Sequence, residues 1–420
     1  MVGSCFDPLR ATLFTTTIFI APSRFLQTTA NTRQQRLSHC KLHSPPMPHL
    51  YIIAGEVSGD THGAGLIKEL RALDPSLTLS GLGGPKMREA AGSGIEDWVE
   101  TAGVVGLWEV LKMYGYFKQR FDATVQTIMS TQPTGVVLVD YPGFNLRVAK
   151  ELRKRGYTGK ILYYISPQVW AWKKGRVKVM AKVLDLMICI FPFEKEFYEK
   201  SGLPTEFSGH PMVDRVAQLK RNWERERGLI GWFPGSRLNE VKRLFPIMLQ
   251  AGLAIRMALP QARFAVSAAN ETLAGHMRQM AEAAGMPEAK QWIETGTVYD
   301  LMQRAQVGAV ASGTATLEAA CFGLPYALVY QVTPLTYIAA KTVVRIKNIG
   351  IVNVLAQRDV VKELVQGGLT PDTLAAEMVD LITHDHRRAE LQAELAEVVA
   401  SLGAGGAYHR AAKAVLTSLA

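Results

Sequence analysis

The sequence lacks the features that mark several classes of protein. Its 420 residues include only four cysteines, which show neither metal-type nor disulfide-type spacing, so they predict a reducing compartment and no disulfide framework. No run of about 18 apolar residues occurs, so no membrane-spanning helix is predicted. The glycine-rich loop at residues 52–65 neither spells G-x-G-x-x-G nor carries the lysine of a P-loop. A dinucleotide oxidoreductase is therefore disfavoured.

Charge is only mildly unbalanced. The chain has 47 Lys and Arg against 37 Asp and Glu, a formal net charge of +10. Such an excess suits an anionic partner: a nucleotide, a phosphosugar or a membrane surface. Without a basic stripe it does not predict nucleic-acid binding. Hydrophobic residues at 48% and charged residues at 20% are ordinary for a globular protein with a core of its own.

The first 46 residues differ from the rest. They contain five basic residues, one acidic residue, many Ser, Thr and Gln, and end in the breaker SPPMP. This composition is typical of an organellar transit peptide. The alternative, which we favour, is that Met47 is the true start and residues 1–46 lie outside the fold.

From residue 50 onward, short apolar runs alternate with helical patterns, which predicts parallel sheets covered on both faces. The runs include LYIIA (50–54) and GVVLVDYP (135–142), and a charged stretch at 216–228 precedes a second series. We therefore predict two doubly wound α/β halves, residues 47–218 and 219–420, the second with a helical tail. Ligands should bind at the carboxyl ends of the strands, in the cleft between the halves.

Two small-residue turns in the second half indicate a nucleotide site. In GWFPGSRLNEVKR, backbone N–H groups of Gly235 and Ser236 and the guanidinium of Arg237 suit a diphosphate. The alternative is that Ser236 caps the following helix and Arg237 is solvated.

The second turn lies in ASGTATLEAACFGLP (311–325), where Ser312, Gly313 and Thr314 lead into a helix. Its N-terminus can bind an anion, and Glu318, one turn later, can accept both hydroxyls of a ribose. Ser312 or Thr314 could instead be an ordinary N-cap.

In the first half, VDYPGFN (139–145) places Asp140 at the carboxyl end of a strand, with Asn145 nearby. A carboxylate there can act as the general base for an attacking hydroxyl. The alternative is that Asp140 caps the next helix. Neither His62 nor His210 has partners at metal-ligand spacing, so no protein-bound metal and no cofactor are expected.

These segments occur together in one known family. In order, GEVSGD, DYPGFN, SPQVWAW, FPFEKEFY, GHP, PGSR, SGTATLE and the run from VTPLTY to NVLAQRDVVKELVQ resemble lipid-A-disaccharide synthases, from about Leu50 to the C-terminus. The resemblance implies the GT-B fold, with two Rossmann-like domains facing a central cleft. It also implies an inverting glycosyltransferase that joins UDP-2,3-diacylglucosamine to 2,3-diacylglucosamine 1-phosphate (lipid X).

The resemblance implies roles for individual residues. Asp140 is the base, Arg237 contacts the diphosphate, Glu318 holds the ribose, and Asn353 is a further donor-site residue. It also implies peripheral attachment to the cytoplasmic face of the inner membrane and dimers with exchanged C-terminal parts, in which Asn353 serves the partner's site.

Because the family's UDP belongs to the second half, the acidic loop of the first half should face the acceptor. A carboxylate suits a sugar hydroxyl and repels a phosphate, so Glu56, Ser58 and Asp60 are expected to bind the acceptor. Trp170, in SPQVWAW, joins them. Two alternatives are another transferase or epimerase of UDP-N-acetylglucosamine, and a non-catalytic membrane-binding module.

Overall fold

The computed structural model describes residues 48–99, 114–167, 175–333, 337 and 348–420. Trp170 and residues 1–46 lie outside these ranges. Within them, the strands form two parallel sheets, one of seven strands and one of six. Residues 47–420 form one compact unit.

The first sheet has the order β3-β2-β1-β4-β5-β6-β7. Its strands are β1 (His49–Ala54), β2 (Thr78–Gly83), β3 (Ile95–Asp97), β4 (Gly135–Val139), β5 (Lys160–Tyr164), β6 (Leu186–Cys189) and β7 (Thr205–Phe207). The helices between and after them are α1 (Val57–Leu73), α2 (Pro85–Ala91), α3 (Tyr114–Thr131), α4 (Pro142–Lys154), α5 (Gly175–Val183), α6 (Pro192–Glu199) and α7 (Pro211–Leu219).

The second sheet has the order β10-β9-β8-β11-β12-β13. Its strands are β8 (Glu226–Phe233), β9 (Arg263–Ala268), β10 (Ile293–Thr295), β11 (Ala305–Ala311), β12 (Tyr326–Tyr330) and β13 (Glu363–Val365). The helices are α8 (Leu238–Ala258), α9 (Glu271–Ala283), α10 (Val298–Arg304), α11 (Thr314–Cys321), α12 (Ile351–Ala356), α13 (Pro371–Thr383), α14 (Asp385–Ser401) and α15 (Ala407–Leu419), with 3₁₀ turns at Pro287–Trp292 and Gln366–Gly368.

Local sequence explains these boundaries. The central strand β4 is a continuous apolar run, as a strand covered on both faces requires, and β1 and β11 each contain one polar residue, His49 and Gln306; the side chains of β4 and β11 are buried throughout. Several helices begin at a proline, whose missing N–H costs nothing at the first helical position: Pro85, Pro142, Pro192, Pro211 and Pro371.

The end of the chain returns to the first half. Helix α15 packs against α1, β5 and β6. Asp214, on α7, accepts hydrogen bonds from the backbone N–H groups of Gly406 and Ala407, at 2.6 and 3.0 Å, and so caps α15. Arg410 donates to the Ser208 carbonyl at 2.8 Å. The last helix therefore ties the second half of the sequence to the first sheet.

The interdomain connector is shorter than the predicted 216–228, because α7 continues to Leu219 and β8 begins at Glu226. It is also anchored. The guanidinium of Arg225 donates to the backbone carbonyls of four residues: Met302, Gln303, Ala305 and Phe322. Burial lowers the pKa of Arg225 to about 10. This cation is thus part of the core of the second half.

Candidate active site

The first sheet reverses its strand order between β1 and β4, where ligands bind in open α/β sheets. Ala54 lies opposite Val139 in the register of these strands. The loops that follow, Gly55–Glu56 and Asp140–Tyr141, therefore lie side by side. A side chain at residue 55 would meet the Tyr141 ring, since a Cβ there would be 2.3 Å from Tyr141 Cδ1. Only glycine allows this approach.

The backbone at Asp140 has an unusual conformation. Asp140 and Tyr141 both have positive φ angles, 46° and 48°. Such conformations cost on the order of 1–3 kcal/mol each and persist where the surroundings hold them. The Asp140 carbonyl accepts hydrogen bonds from Asn145 Nδ2 at 2.7 Å and from the Tyr163 hydroxyl at 2.5 Å. The structure thus presents Asp140 at the strand end, as predicted, and Asn145 holds it in place.

The surroundings of Asp140 raise its pKa toward neutral pH. Burial, and then the negative charge of Glu56, raise the pKa of Asp140 from its usual 3.8 to about 6, against the opposing effect of a backbone hydrogen bond from Tyr141. A general base works best when its pKa lies near the working pH. Burial and Glu56 also raise the pKa of Tyr141, so the Glu56 carboxylate lies close to both groups.

Sequence reasoning missed Trp98, which supports this site from behind. Its side chain is buried, and its indole N–H donates to the Ala54 carbonyl at 2.6 Å. It packs edge-on against Tyr141 at 5.9 Å and against Phe144 at 4.8 Å, between ring centroids. Its place after the three-residue strand β3 carries no motif that would have revealed this role.

The second sheet reverses its order between β8 and β11. Phe233 lies opposite Val310, so the turn at Gly235 runs beside the turn at Ser312. Both predicted small-residue turns therefore meet at the switch point of this sheet. Gly235 has a φ of 104°, and a Cβ there would be 2.4 Å from Glu240 Oε2. The first turn requires glycine for both reasons.

Ser236, Ser312 and Thr314 do not cap these helices, whereas the expectation of a solvated Arg237 is confirmed. The N-cap of α11 is Gly313, with a φ of 144°, and neither Ser312 nor Thr314 makes a capping hydrogen bond. The N-cap of α8 is Arg237, not Ser236, and its side chain does not cap the helix. At the start of α8 the Arg237 N–H donates to the Glu240 carboxylate at 3.4 Å, so this helix is capped by Glu240 instead. At the start of α11 no side chain caps the helix, and such an N-terminus can offer backbone N–H groups to an anion.

Arg237 itself is exposed over 77% of its side chain and lies 3.1 Å from Glu240, between Nη1 and Oε1. An exposed pair of this kind contributes only about 0–1 kcal/mol. The guanidinium can therefore leave Glu240 for a stronger anion at little cost.

Glu318 lies one turn into α11 with its side chain 12% exposed. Its Oε1 accepts a hydrogen bond from the Tyr299 hydroxyl at 2.9 Å. Arg215, carried by α7 of the first half, lies 3.8 Å from the same oxygen and 5.1 Å above the Tyr299 ring. The two halves thus meet beside this carboxylate. Tyr299 and Arg215 were not predicted from the sequence, where neither belongs to a motif.

Two predicted site residues have other roles. Asp60 is 3% exposed, and its carboxylate accepts hydrogen bonds from three backbone N–H groups at the start of α2: those of Gly84, Lys86 and Met87. The structure therefore does not support Asp60 as an acceptor ligand: the carboxylate caps α2. Glu56 and Ser58, in contrast, are exposed.

Asn353 is 1% exposed, and its amide is fully hydrogen-bonded. Its Oδ1 accepts from Val360 and Val361, and its Nδ2 donates to Val361 and Glu363, all at 2.8–2.9 Å. The structure therefore does not support its side chain as a donor contact: Asn353 fixes the segment that leads into β13.

The histidines have structural surroundings. His210 caps α7 by accepting from the Met212 N–H at 3.0 Å, and burial lowers the pKa of His210 to about 3. His62 Nδ1 lies 3.0 Å from the Tyr408 hydroxyl, and burial lowers the pKa of His62 to about 4. Both rings are therefore neutral at pH 7.

This arrangement defines a class of protein. Two doubly wound α/β domains, one with a raised-pKa carboxylate at its switch point and one with paired small-residue turns, form a GT-B fold. Solved structures agree: a UDP-GlcNAc 2-epimerase from Neisseria meningitidis bound to UDP-GlcNAc has a TM-score of 0.56 at 12% identity, over 88% of this chain and 100% of that one. A calicheamicin glycosyltransferase has a TM-score of 0.52 at 14% identity, over 89% and 98%.

Sequence comparison identifies the family. The model of the lipid-A-disaccharide synthetase family matches residues 50–417. The lipid-A-disaccharide synthase of Geobacter sulfurreducens is 40% identical over 378 residues, covering 88% of this chain and 97% of that protein. That of Coxiella burnetii is 35% identical over 374 residues, covering 87% and 96%. The chain belongs to the lipid-A-disaccharide synthase family, whose members are glycosyltransferases of lipid A biosynthesis. No helix in the described ranges is both long and apolar enough to cross a bilayer.

Proposed function

We propose that this protein transfers 2,3-diacylglucosamine from its UDP derivative to the 6-hydroxyl of lipid X, with inversion at the anomeric carbon. The products are UDP and the β-1,6-linked disaccharide 1-phosphate. The observation that carries the proposal is the position of Asp140 at the switch point of the first sheet, in a chain of this family whose second sheet has two small-residue turns at its own switch point.

In the proposed reaction, the acceptor hydroxyl attacks the anomeric carbon of the donor. The new bond joins that carbon to the acceptor oxygen, and the hydroxyl proton passes to the Asp140 carboxylate. The bond from the anomeric carbon to the diphosphate breaks, and its electron pair leaves with UDP. A base with a pKa of about 6 is mostly ionised at pH 7 and can accept this proton.

The donor would bind in the second half. We expect backbone N–H groups of Gly235, Ser236, Gly313 and Thr314, in the turns that lead into two helices, to donate to the diphosphate, while the exposed Arg237 adds a full positive charge. Charge that develops on the leaving UDP is thereby stabilised without a metal ion. Ser312 belongs to the same turn.

Glu318 would accept the ribose hydroxyls. The Tyr299 hydroxyl holds one of its oxygens at 2.9 Å and so orients the carboxylate.

The acceptor would bind to the first half. Glu56 and Ser58 are exposed in the loop that lies beside Asp140, where they can accept and donate hydrogen bonds to sugar hydroxyls. Trp170 remains part of the proposed acceptor site on the basis of its motif alone.

We further propose peripheral attachment to the cytoplasmic face of the inner membrane, because both substrates carry acyl chains. Dimers with exchanged C-terminal parts are also proposed. In such a dimer the contacts of α15 with α1 would form between two chains. Flotation with anionic lipid vesicles and sedimentation equilibrium test these two points.

The test of the proposed function is product formation. The chain from Met47 is incubated with UDP-2,3-diacylglucosamine and lipid X, and the products are examined by mass spectrometry. We expect the disaccharide 1-phosphate and one equivalent of UDP. Conversion of unacylated UDP-N-acetylglucosamine, with no disaccharide from the acylated pair, would instead identify a transferase or epimerase of the simple nucleotide sugar.

A further inference from the structure

A cavity of about 460 Å³ opens between α3 and α4. It is lined in part by Tyr141, the residue that follows the proposed base Asp140. Four aromatic rings line it: Phe117, Phe121, Tyr141 and Phe144. Its volume lies within the roughly 300–1,000 Å³ that is typical of sites for small ligands. No part of the donor site proposed above belongs to it.

The aromatic wall is held in place from behind. Phe144 is buried, and it packs edge-on against Phe121 at 6.1 Å and against the buried Trp98 at 4.8 Å, between ring centroids. Trp98 is fixed in turn by its hydrogen bond to the Ala54 carbonyl. A preformed cavity with such a wall favours an apolar ligand, because burial of each CH₂ group against the rings is favourable.

Charged side chains also line the cavity, two of them positive and one negative. Lys118, Arg147 and Asp122 are all exposed there, which leaves one net positive charge. Neither Lys118 nor Arg147 forms an ion pair with an acid in the described ranges. A guanidinium with an ammonium group nearby suits a phosphate, which can accept two hydrogen bonds from the fork of the arginine. The cavity thus combines an apolar wall with an anion-binding rim.

We propose that this cavity binds an acyl chain of the acceptor and that Lys118 and Arg147 bind its phosphate. The assignment rests on the proposed function for the identity of the acceptor as an acylated sugar phosphate. Continuity with the base supports it: Tyr141, which lines the cavity, is the residue directly after Asp140, and Gly143 lies in the first turn of the helix that follows. A sugar whose hydroxyl reaches Asp140 therefore has its substituents within reach of this cavity.

The structure offers a variant that fills the cavity without disturbing the fold. A Cβ at Gly143 would meet nothing within 4 Å. Gly143→Leu therefore adds an apolar side chain where the acyl chain would lie. The matched control is Gly275→Leu on α9, where a Cβ also meets nothing within 4 Å but which does not line the cavity.

Binding is measured by calorimetry with the acylated sugar phosphate below its critical micelle concentration, and with UDP. We expect Gly143→Leu to lower the affinity for the acylated ligand about ten-fold or more, the loss expected when about two CH₂ groups no longer fit. UDP affinity and the thermal unfolding temperature should stay as in the wild type and Gly275→Leu. Unchanged affinity for the acylated ligand would overturn the proposal.

The phosphate is tested separately with Arg147→Glu against Lys150→Glu, an exposed residue on the same helix that does not line the cavity. We expect Arg147→Glu to weaken binding of the phosphorylated ligand about ten-fold and to leave the same acylated sugar without its phosphate unaffected. Equal weakening of both ligands would refute the phosphate assignment. Weaker binding to anionic phospholipid vesicles alone would show that the cavity serves the membrane surface, and would also refute it.

These outcomes are distinct from failure of the proposed function. If the wild type makes no disaccharide but binds the acylated ligand in a Gly143-dependent way, the reaction is wrong and the cavity assignment stands. If disaccharide forms equally well in the wild type and Gly143→Leu, with equal KM for the acceptor, the cavity assignment alone is wrong.

Discussion

Replacement of Asp140 by asparagine should stabilise the protein while it slows turnover by about 100-fold or more. The fold holds this carboxyl in a buried position next to Glu56, where its ionised form is disfavoured. Asparagine has nearly the same shape and carries no charge to desolvate. Residues adjusted for catalysis often cost stability in this way.

The size of the effect follows from the pKa. Its rise from 3.8 to about 6 corresponds to about 3 kcal/mol between the two protonation states. Because the folded-state pKa is the higher one, the wild type pays no such penalty below pH 4. The penalty grows between about pH 4 and pH 6 and is complete above pH 6. Asp140→Asn should therefore gain up to about 3 kcal/mol over the wild type at pH 8 and little at pH 4.

The assay is urea unfolding of the two proteins at several pH values between 4 and 8, read by tryptophan fluorescence. Asp122→Asn, an exposed carboxylate on α3, is the control and should show no such pH-dependent difference. If the difference between Asp140→Asn and the wild type is the same at pH 4 and pH 8, the carboxyl does not have a raised pKa and the reasoning fails.

Three further predictions concern the surroundings of the site. Glu56→Gln removes the negative charge that helps to raise the pKa of Asp140, so the acid limb of the pH profile of kcat/KM should move below about pH 6. If the acid limb stays at the same pH in Glu56→Gln, this prediction is wrong. Arg225→Ala leaves four backbone carbonyls without their donor and should lower the free energy of unfolding by about 3 kcal/mol or more, measured by urea unfolding. A change below about 1 kcal/mol would show that water satisfies these carbonyls instead, and would contradict the prediction. Tyr299→Phe removes the hydrogen bond that orients Glu318 and should weaken UDP binding about three- to ten-fold by calorimetry; unchanged binding refutes the orienting role.

The main strands were predictable because their physical signal is strong. The run GVVLV is covered by helices on both sides, so every residue is apolar and the pattern stands out from its polar neighbours. The three-residue strands β3, β7 and β13 were not predicted. A strand of that length shows no periodicity, and it forms only because a longer neighbour offers it a partner.

The candidate site was predictable to the extent that its residues stand at strand ends. Asp140 and the turn at Gly235 follow apolar strands directly, and parallel strands bring their carboxyl ends to one edge. For Asp60 and Asn353 this reasoning did not give the right role. Both are polar residues within motifs, yet both bond to backbone groups elsewhere in the chain, and residue type does not show where a side chain's lone pairs point.

The most direct test of the account is a comparison of Asp140→Asn with the wild type in both UDP binding and disaccharide formation. In the proposed function, the donor binds to the second half and the base belongs to the first half. It predicts that Asp140→Asn binds UDP with wild-type affinity but forms the disaccharide at least about 100-fold more slowly. Disaccharide formation at the wild-type rate by Asp140→Asn would contradict the account.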